Sequence, residues 1–210
     1  MSELLDDRGK EILSKTVGLF MKYGIKSMTM DDIARQLGIS KKTLYIYVSD
    51  KNDLVVKTMQ SIVQHEKDLV SCMTESETNA IDQLFEISKG VAQKFGSIHP
   101  SINYDLQKYH PEAWKIFSDF HNVFIHGCIQ ENIKQGMKQG LYRDNLDPFL
   151  IAHFYSSQVP MCSDGELFPS DKYSFPQIHL EMMRYHIRGI ASEKGLEYLK
   201  AKVKKEKIQL

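Results

Sequence analysis

The sequence predicts an all-α fold, on three observations. Only six prolines and twelve glycines interrupt 210 residues. Apolar residues recur at i, i+3, i+4 spacing over long stretches, the period of an amphipathic helix. Ser, Thr or Asp precede these stretches and glycine follows them, as helix caps do. Hydrophobic residues make up 42% and aromatics 10% of the chain, enough to bury a core. The length suits one large domain or two small ones.

The first helix is predicted over residues 7–23, with Ile12, Leu13, Thr16, Val17, Phe20 and Met21 on one broad face. Gly24 follows, where a left-handed residue ends a helix. Thr29 then caps a short second helix and Asp32 reaches back to it; Met30, Ile33, Ala34 and Leu37 form its single apolar stripe. Gly38 allows a tight turn, and Ser40 caps a third helix running to Tyr47. Asp50 and Asp53 cap a longer fourth helix carrying Leu54, Met59, Ile62 and Val63.

Further on, 81–95 reads as a helix closed by Gly96 and Pro100, and 101–109 as a shorter one stopped by His110-Pro111. Residues 112–138 form one long helix with Trp114, Phe117, Phe120 or His121, Phe124, Cys128 and Ile133 along its inner surface. A turn at 140–145 leads to Asp147-Pro148, with proline at the first helical position. Residues 161–174 read as an exposed loop and 175–191 as the last helix. The lysines that follow (Lys200, Lys202, Lys204, Lys205, Lys207) read as a frayed, solvated helix end. The count is roughly nine helices.

Charge excludes less than its sum implies. The 27 Lys+Arg and 27 Asp+Glu cancel, which by itself argues against a polyanion partner. By position, residues 1–60 hold ten basic against eight acidic groups, 61–193 eleven against seventeen, and 194–210 six against two. An acidic middle thus lies between two mildly basic ends, and one end is free to meet a polyanion. No run approaches the roughly 20 apolar residues of a membrane span, and MSELLDDRGK lacks the apolar stretch of a secretion signal. Cys72, Cys128 and Cys162 are too few and too dispersed for a disulfide framework or zinc cluster, which indicates a reducing cytosol. No two of the eight histidines have the i, i+4 spacing of a helical ligand pair with a flanking carboxylate. No metal or other cofactor is expected. Without GxSxG, P-loop, GxGxxG or a carboxylate pair, no enzyme is expected either.

Residues 29–47 hold two short capped helices around Gly38, the pattern of a helix-turn-helix. Ala34 allows close approach, while Ile39 and Leu44 fill the seam. The outer face then holds Ser40, Lys41, Lys42, Thr43, Tyr45 and Tyr47, groups suited to phosphates and base edges. A recognition helix reads bases with its N-terminal residues, here Lys41, Lys42 and Thr43.

Residues 10–54 read KEILSKTVGLFMKYGIKSMTMDDIARQLGISKKTLYIYVSDKNDL. This string resembles the N-terminal domain of the TetR family of bacterial repressors, in its LF..YG helix end, T(M/T).DIA..LG helix, GISK.TLY.Y recognition helix and acid-capped K..L. Beyond it, the IKQG..QGLYR.NLDP stretch (133–148) looks like the family's connection between its seventh and eighth helices. The resemblance implies a helix-turn-helix domain over 1–50 and a ligand-binding and dimerisation domain over 51–210. It implies that Thr29 meets a phosphate with its hydroxyl and amide, as a helix N-terminus also favours. By the same resemblance Tyr45 and Tyr47 contact phosphates and Lys51 the DNA backbone. Met30 and Asp31 stand where other members place base-reaching side chains, and here they are apolar and acidic.

The resemblance further implies a cytoplasmic homodimer on a palindromic operator in double-stranded DNA, a repressor released by a small-molecule inducer of unknown identity. The last two helices carry apolar residues for a dimer face: Phe149, Ala152, Phe154 and Tyr155, then Ile178, Met182, Met183, Tyr185 and Ile190. An intramolecular core is the competing role for each. Tyr104, Gln107, Tyr109, Trp114, Phe117, His121 and Phe124 are candidates for the ligand pocket. The alternative function is a helical module that binds a small molecule or protein and no longer binds DNA.

Overall fold

Each of the first three helices starts where a side-chain oxygen meets amides that have no carbonyl partner within the helix. The computed structural model describes residues 6–74, 78–95, 101–162, 164–169 and 171–206, apart from the side chains of 69–74, 91–95 and 206. In α1 (Asp7–Tyr23), Asp6 accepts from the Gly9 amide at 2.7 Å. In α2 (Met30–Leu37), the Thr29 hydroxyl accepts from the Asp32 amide at 3.2 Å and the Asp32 carboxylate accepts from the Thr29 amide at 3.1 Å. Ser40 caps α3 (Lys41–Tyr47) through the Thr43 amide at 3.0 Å. Asp50 accepts from the Asp53 amide at 2.8 Å where α4 (Lys51–Thr74) begins. The four starts and the ends of the first three agree with the expected ones. Gly24 differs in detail: its φ is +80° as expected, but its ψ of 159° lies outside the left-handed helical region.

Downstream come α5 (Ala80–Phe95), α6 (Ile102–Tyr109) and α7 (Pro111–Asp119). A π-helical segment, Phe120–Ile125, joins α7 without a break to α8 (His126–Lys138). The expected helix over 112–138 is therefore one run with a wider turn inside it, a feature that apolar spacing does not reveal. Then follow α9 (Pro148–Met161), α10 (Phe175–Ile190) and α11 (Glu193–Glu206). Asp147 caps α9 as expected, accepting from the amides of Phe149 and Leu150 at 2.9 and 3.1 Å. Ten helical runs are thus present among the described residues. The expected closing signals Gly96 and Pro100, and Lys207, lie outside them.

The extra helix is α11, a correction to the reading of the lysine-rich end as frayed and solvated. Leu199 is buried, and Lys202 pairs at 2.9 Å with Asp82 of α5, which also accepts from the Tyr198 hydroxyl at 2.7 Å. Leu199 and Val203 share one face of α11 and pack on the core of the second unit, and Tyr198 reaches Asp82 116 residues earlier.

The chain divides into two compact units. The first comprises Met1–Asp68 and Ser97–Phe120, the second Leu69–Gly96 and His121–Leu210. In the first, α1 packs on α2 and α2 on α3, and Ile33, Leu44 and Leu54 are fully buried. In the second, α8 packs on α5 and α9, and α5 on α10, around Ile81, Leu84, Ile133, Tyr155 and Ile187. The QGLYR turn is fastened there by close approach. A Cβ on Gly136 would stand 2.1 Å from the Tyr142 ring. That ring is buried and its hydroxyl donates to Asn132 at 3.1 Å. Tyr142 and Ala191 form an antiparallel bridge, with Arg143 donating to the Ile190 carbonyl at 2.9 Å.

Candidate nucleic-acid interface

The turn between α2 and α3 rests on Gly38, at φ +67° and ψ +29°, a conformation that carries a steric cost for any side chain with a Cβ. The Gly38 amide returns to the Arg35 carbonyl and that of Ile39 to Ala34, at 3.1 and 3.0 Å. Leu44 and Val48 anchor α3 from below, while Ile39 is only half-buried. Above them, Ser40, Lys41, Lys42 and Tyr45 are exposed, and Thr43 and Tyr47 are half-buried. Thr29 is exposed at the start of α2.

Several of these groups are held by neighbours. The Lys41 ammonium lies 3.0 Å from the Asp31 carboxylate. Its pKa is raised, first by that hydrogen bond and then by the charge of Asp31. The Ser40 and Thr43 hydroxyls lie 2.8 Å apart. Tyr47 donates to Asp6 at 3.4 Å, and its pKa is raised by burial and by that carboxylate. Lys51, expected on the DNA backbone, is half-buried and donates to the Lys26 carbonyl at 3.4 Å. Burial lowers its pKa, against the opposing pull of Asp105.

Asp105 is a residue that sequence reasoning missed. It sits on α6, is 3% exposed, and accepts from the Lys26 amide at 3.0 Å and the Ser101 hydroxyl at 3.1 Å. The Lys26 ammonium donates to Tyr109 at 2.9 Å, and His110 meets Asn52 of α4 at 2.8 Å. Within this one unit, α6 is therefore tied to the segment between α1 and α2 and to the start of α4. No local pattern marks Asp105, because Lys26 lies 79 residues earlier. Ile46 was also passed over, although the spacing of Leu44 and Val48 places it outward.

The remaining candidates fall in both units. Tyr104 and Gln107 are exposed on α6, and Trp114 and Phe117 are half-buried on α7 with ring centroids 5.5 Å apart. All four belong to the first unit, whereas His121 and Phe124 are half-buried in the second. On the expected dimer face, Phe149 is 52% and Tyr185 80% exposed, and Ile178 and Met182 are half-buried. Ala152 and Tyr155 lie instead in the core of their own chain. Tyr155 packs its ring 4.9 Å from that of His186, on the inner side of α9. Among the described residues, no group of three or more His, Cys, Asp or Glu is placed to hold a metal ion, and no helix is long and apolar enough to cross a membrane.

Two short helices locked around a left-handed glycine, with an exposed cationic and phenolic second helix, define a helix-turn-helix protein. Residues 12–58 match the family model of bacterial regulatory proteins, tetR family. The YvaF HTH-type transcriptional regulator of Bacillus subtilis is 25% identical over 185 residues, 88% of this chain and 96% of that one. A regulator from Saccharomonospora viridis, solved in complex with choline, superposes with a TM-score of 0.72 at 17% identity over 89% of this chain and 99% of its own. The reduced form of E. coli NemR gives 0.74 at 11% identity, over 89% and 98%. These two likenesses show the fold. The N-terminal helix-turn-helix thus matches the tetR-family model of bacterial regulatory proteins, and the chain as a whole is similar to HTH-type transcriptional regulators.

Proposed function

We propose that this chain is a cytoplasmic, dimeric, sequence-specific DNA-binding regulator, a repressor released from a palindromic operator by a small molecule. The observation that carries this reading is the complete outer face of the helix-turn-helix, with Ser40, Lys41, Lys42 and Tyr45 exposed above a fully buried Leu44. In this reading residues 1–50 bind DNA, and 51–210 bind ligand and dimerise. Lys41, Lys42 and Thr43 read bases, while Thr29, Ser40, Tyr45, Tyr47 and Lys51 serve the phosphates. Two copies set their recognition helices about 34–36 Å apart, one turn of DNA. The exposed Phe149 and Tyr185 supply the contact between copies.

The candidates for the inducer site are Tyr104, Gln107, Trp114 and Phe117 in the first unit and His121 and Phe124 in the second. Release needs a ligand that binds the DNA-competent conformer less well than the other. The Asp105 clamp supports a route for it, since displacing α6 pulls on the residue 26 segment and the start of α4 together. That the S. viridis regulator of the same fold was solved with choline supports a small-molecule ligand for this chain.

The direct test is selection of binding sites from random duplex DNA by the full-length protein, followed by anisotropy titration. A palindromic consensus bound by the dimer is the expected result. Failure to enrich any sequence at modest salt overturns the proposal and favours the helical module that no longer binds DNA.

A further inference from the structure

On the face that this reading assigns to DNA, the most exposed large apolar side chain is Ile46, at 72%. Leu44 is fully buried and Val48 is 2% exposed. A residue midway between two inward residues four apart points to the opposite side of a helix. Lys42, four residues earlier, lies on the same outer strip and is exposed. Ile46 anchors no core, and isoleucine is a poorer helix former than leucine or alanine. Single exposed apolar side chains are ordinary on a protein surface, but this one stands beside Lys42 and Tyr45 on a surface complementary to a polyanion. A protein partner needs a contiguous apolar patch, whereas on the outer face of α3 Ile46 stands with the Lys42 ammonium and the phenol of Tyr45. In the major groove the apolar feature of a base edge is the C5 methyl of thymine.

We infer that Ile46 is a specificity-determining residue that packs on a thymine methyl group in each half-site. It adds an apolar contact to the polar readers Lys41, Lys42 and Thr43 and selects thymine at one position. The inference rests on the DNA-binding reading, and its test separates the two.

The full-length wild-type protein first selects its site, and each thymine in that site is then replaced singly by deoxyuridine, which lacks only the methyl. Dissociation constants are measured by anisotropy at fixed salt for wild type, Ile46→Ala and Ile46→Val. One replacement per half-site weakens the wild type roughly threefold to fivefold, about the value of one buried methyl. Ile46→Ala binds the thymine and deoxyuridine sites equally, and Ile46→Val retains part of the discrimination. The exposed position leaves the thermal midpoint of all three unchanged. If Ile46→Ala loses the same factor as the wild type at every thymine, or if no thymine is methyl-sensitive, Ile46 has no such role while the DNA-binding reading stands. If the wild type selects no site, both fail.

Discussion

Lys41 stands at the start of the recognition helix with its charge already engaged by Asp31, ten residues earlier. A base or phosphate that takes Lys41 must first break this exposed pair, and Asp31 then faces a polyanion unpaired. Asp31→Asn removes both penalties. The expected outcome is DNA binding tighter by about threefold to tenfold on all sequences, with a steeper salt dependence, measured by anisotropy across a salt series. Equal affinity of variant and wild type would show that Lys41 stays on Asp31 in the complex. At this scale the sequence was informative where partners are near. The Thr29–Asp32 box, the Ser40 cap and the exposure of Lys41 and Lys42 all follow from residues within one turn. The engagement of Lys41 crosses the turn between two helices, and its geometry needed the fold.

At the scale of elements, α6 and α11 teach the same lesson. Asp105 buries a carboxylate to hold the Lys26 amide and the Ser101 hydroxyl. Asp105→Ala leaves that amide without its acceptor, which costs about 1–3 kcal/mol. Urea denaturation of the full chain, followed by a signal from the first unit, measures the loss. A midpoint equal to wild type would remove α6 from any part in holding the DNA-binding helices. The bounds of α1, α2 and α3 were legible because caps and the Gly38 turn are written in adjacent residues. The α11 helix was not, because its apolar face is interrupted by lysines and is explained only by Asp82 and the distant core. The π-helical turn at 120–125 was likewise invisible to a reading that assumes a constant period.

At the scale of the whole molecule, buried histidines couple the second unit to pH. Burial pushes the pKa values of His179 and His186 down to about 4, from an ordinary 6.5. The unfolded chain binds these protons below about pH 6.5 and the folded chain does not until about 4, so stability falls as pH drops through that window. The loss approaches on the order of 3 kcal/mol for each histidine at the lower end. Thermal melts between pH 7 and 4 check this, and His179→Phe should flatten the profile. A pH-independent midpoint would mean that the histidines gain protons without unfolding. Assembly gives a second test at this scale. Phe149→Glu with Tyr185→Glu places charge on two exposed aromatic positions and should yield monomers in sedimentation velocity, with DNA affinity reduced at least tenfold because two half-sites no longer act together. The balance of 27 against 27 charges further predicts a shallow salt slope of DNA binding, set by a few phosphate contacts per subunit.

By itself the sequence determined the all-α class, the first four helix starts, the helix-turn-helix and its resemblance to the TetR family. Those features depend on hydrophobic period, caps and a turn glycine, interactions that close within a few residues. Only the tertiary structure decided which apolar groups of α9 and α10 are core and which are surface, burying Ala152 and Tyr155 while leaving Phe149 and Tyr185 exposed. It alone joined Asp105 to Lys26 and Lys202 to Asp82. Burial and long-range pairing depend on which distant segments meet, and the amphipathic period of a single helix records that one face is covered without recording by what.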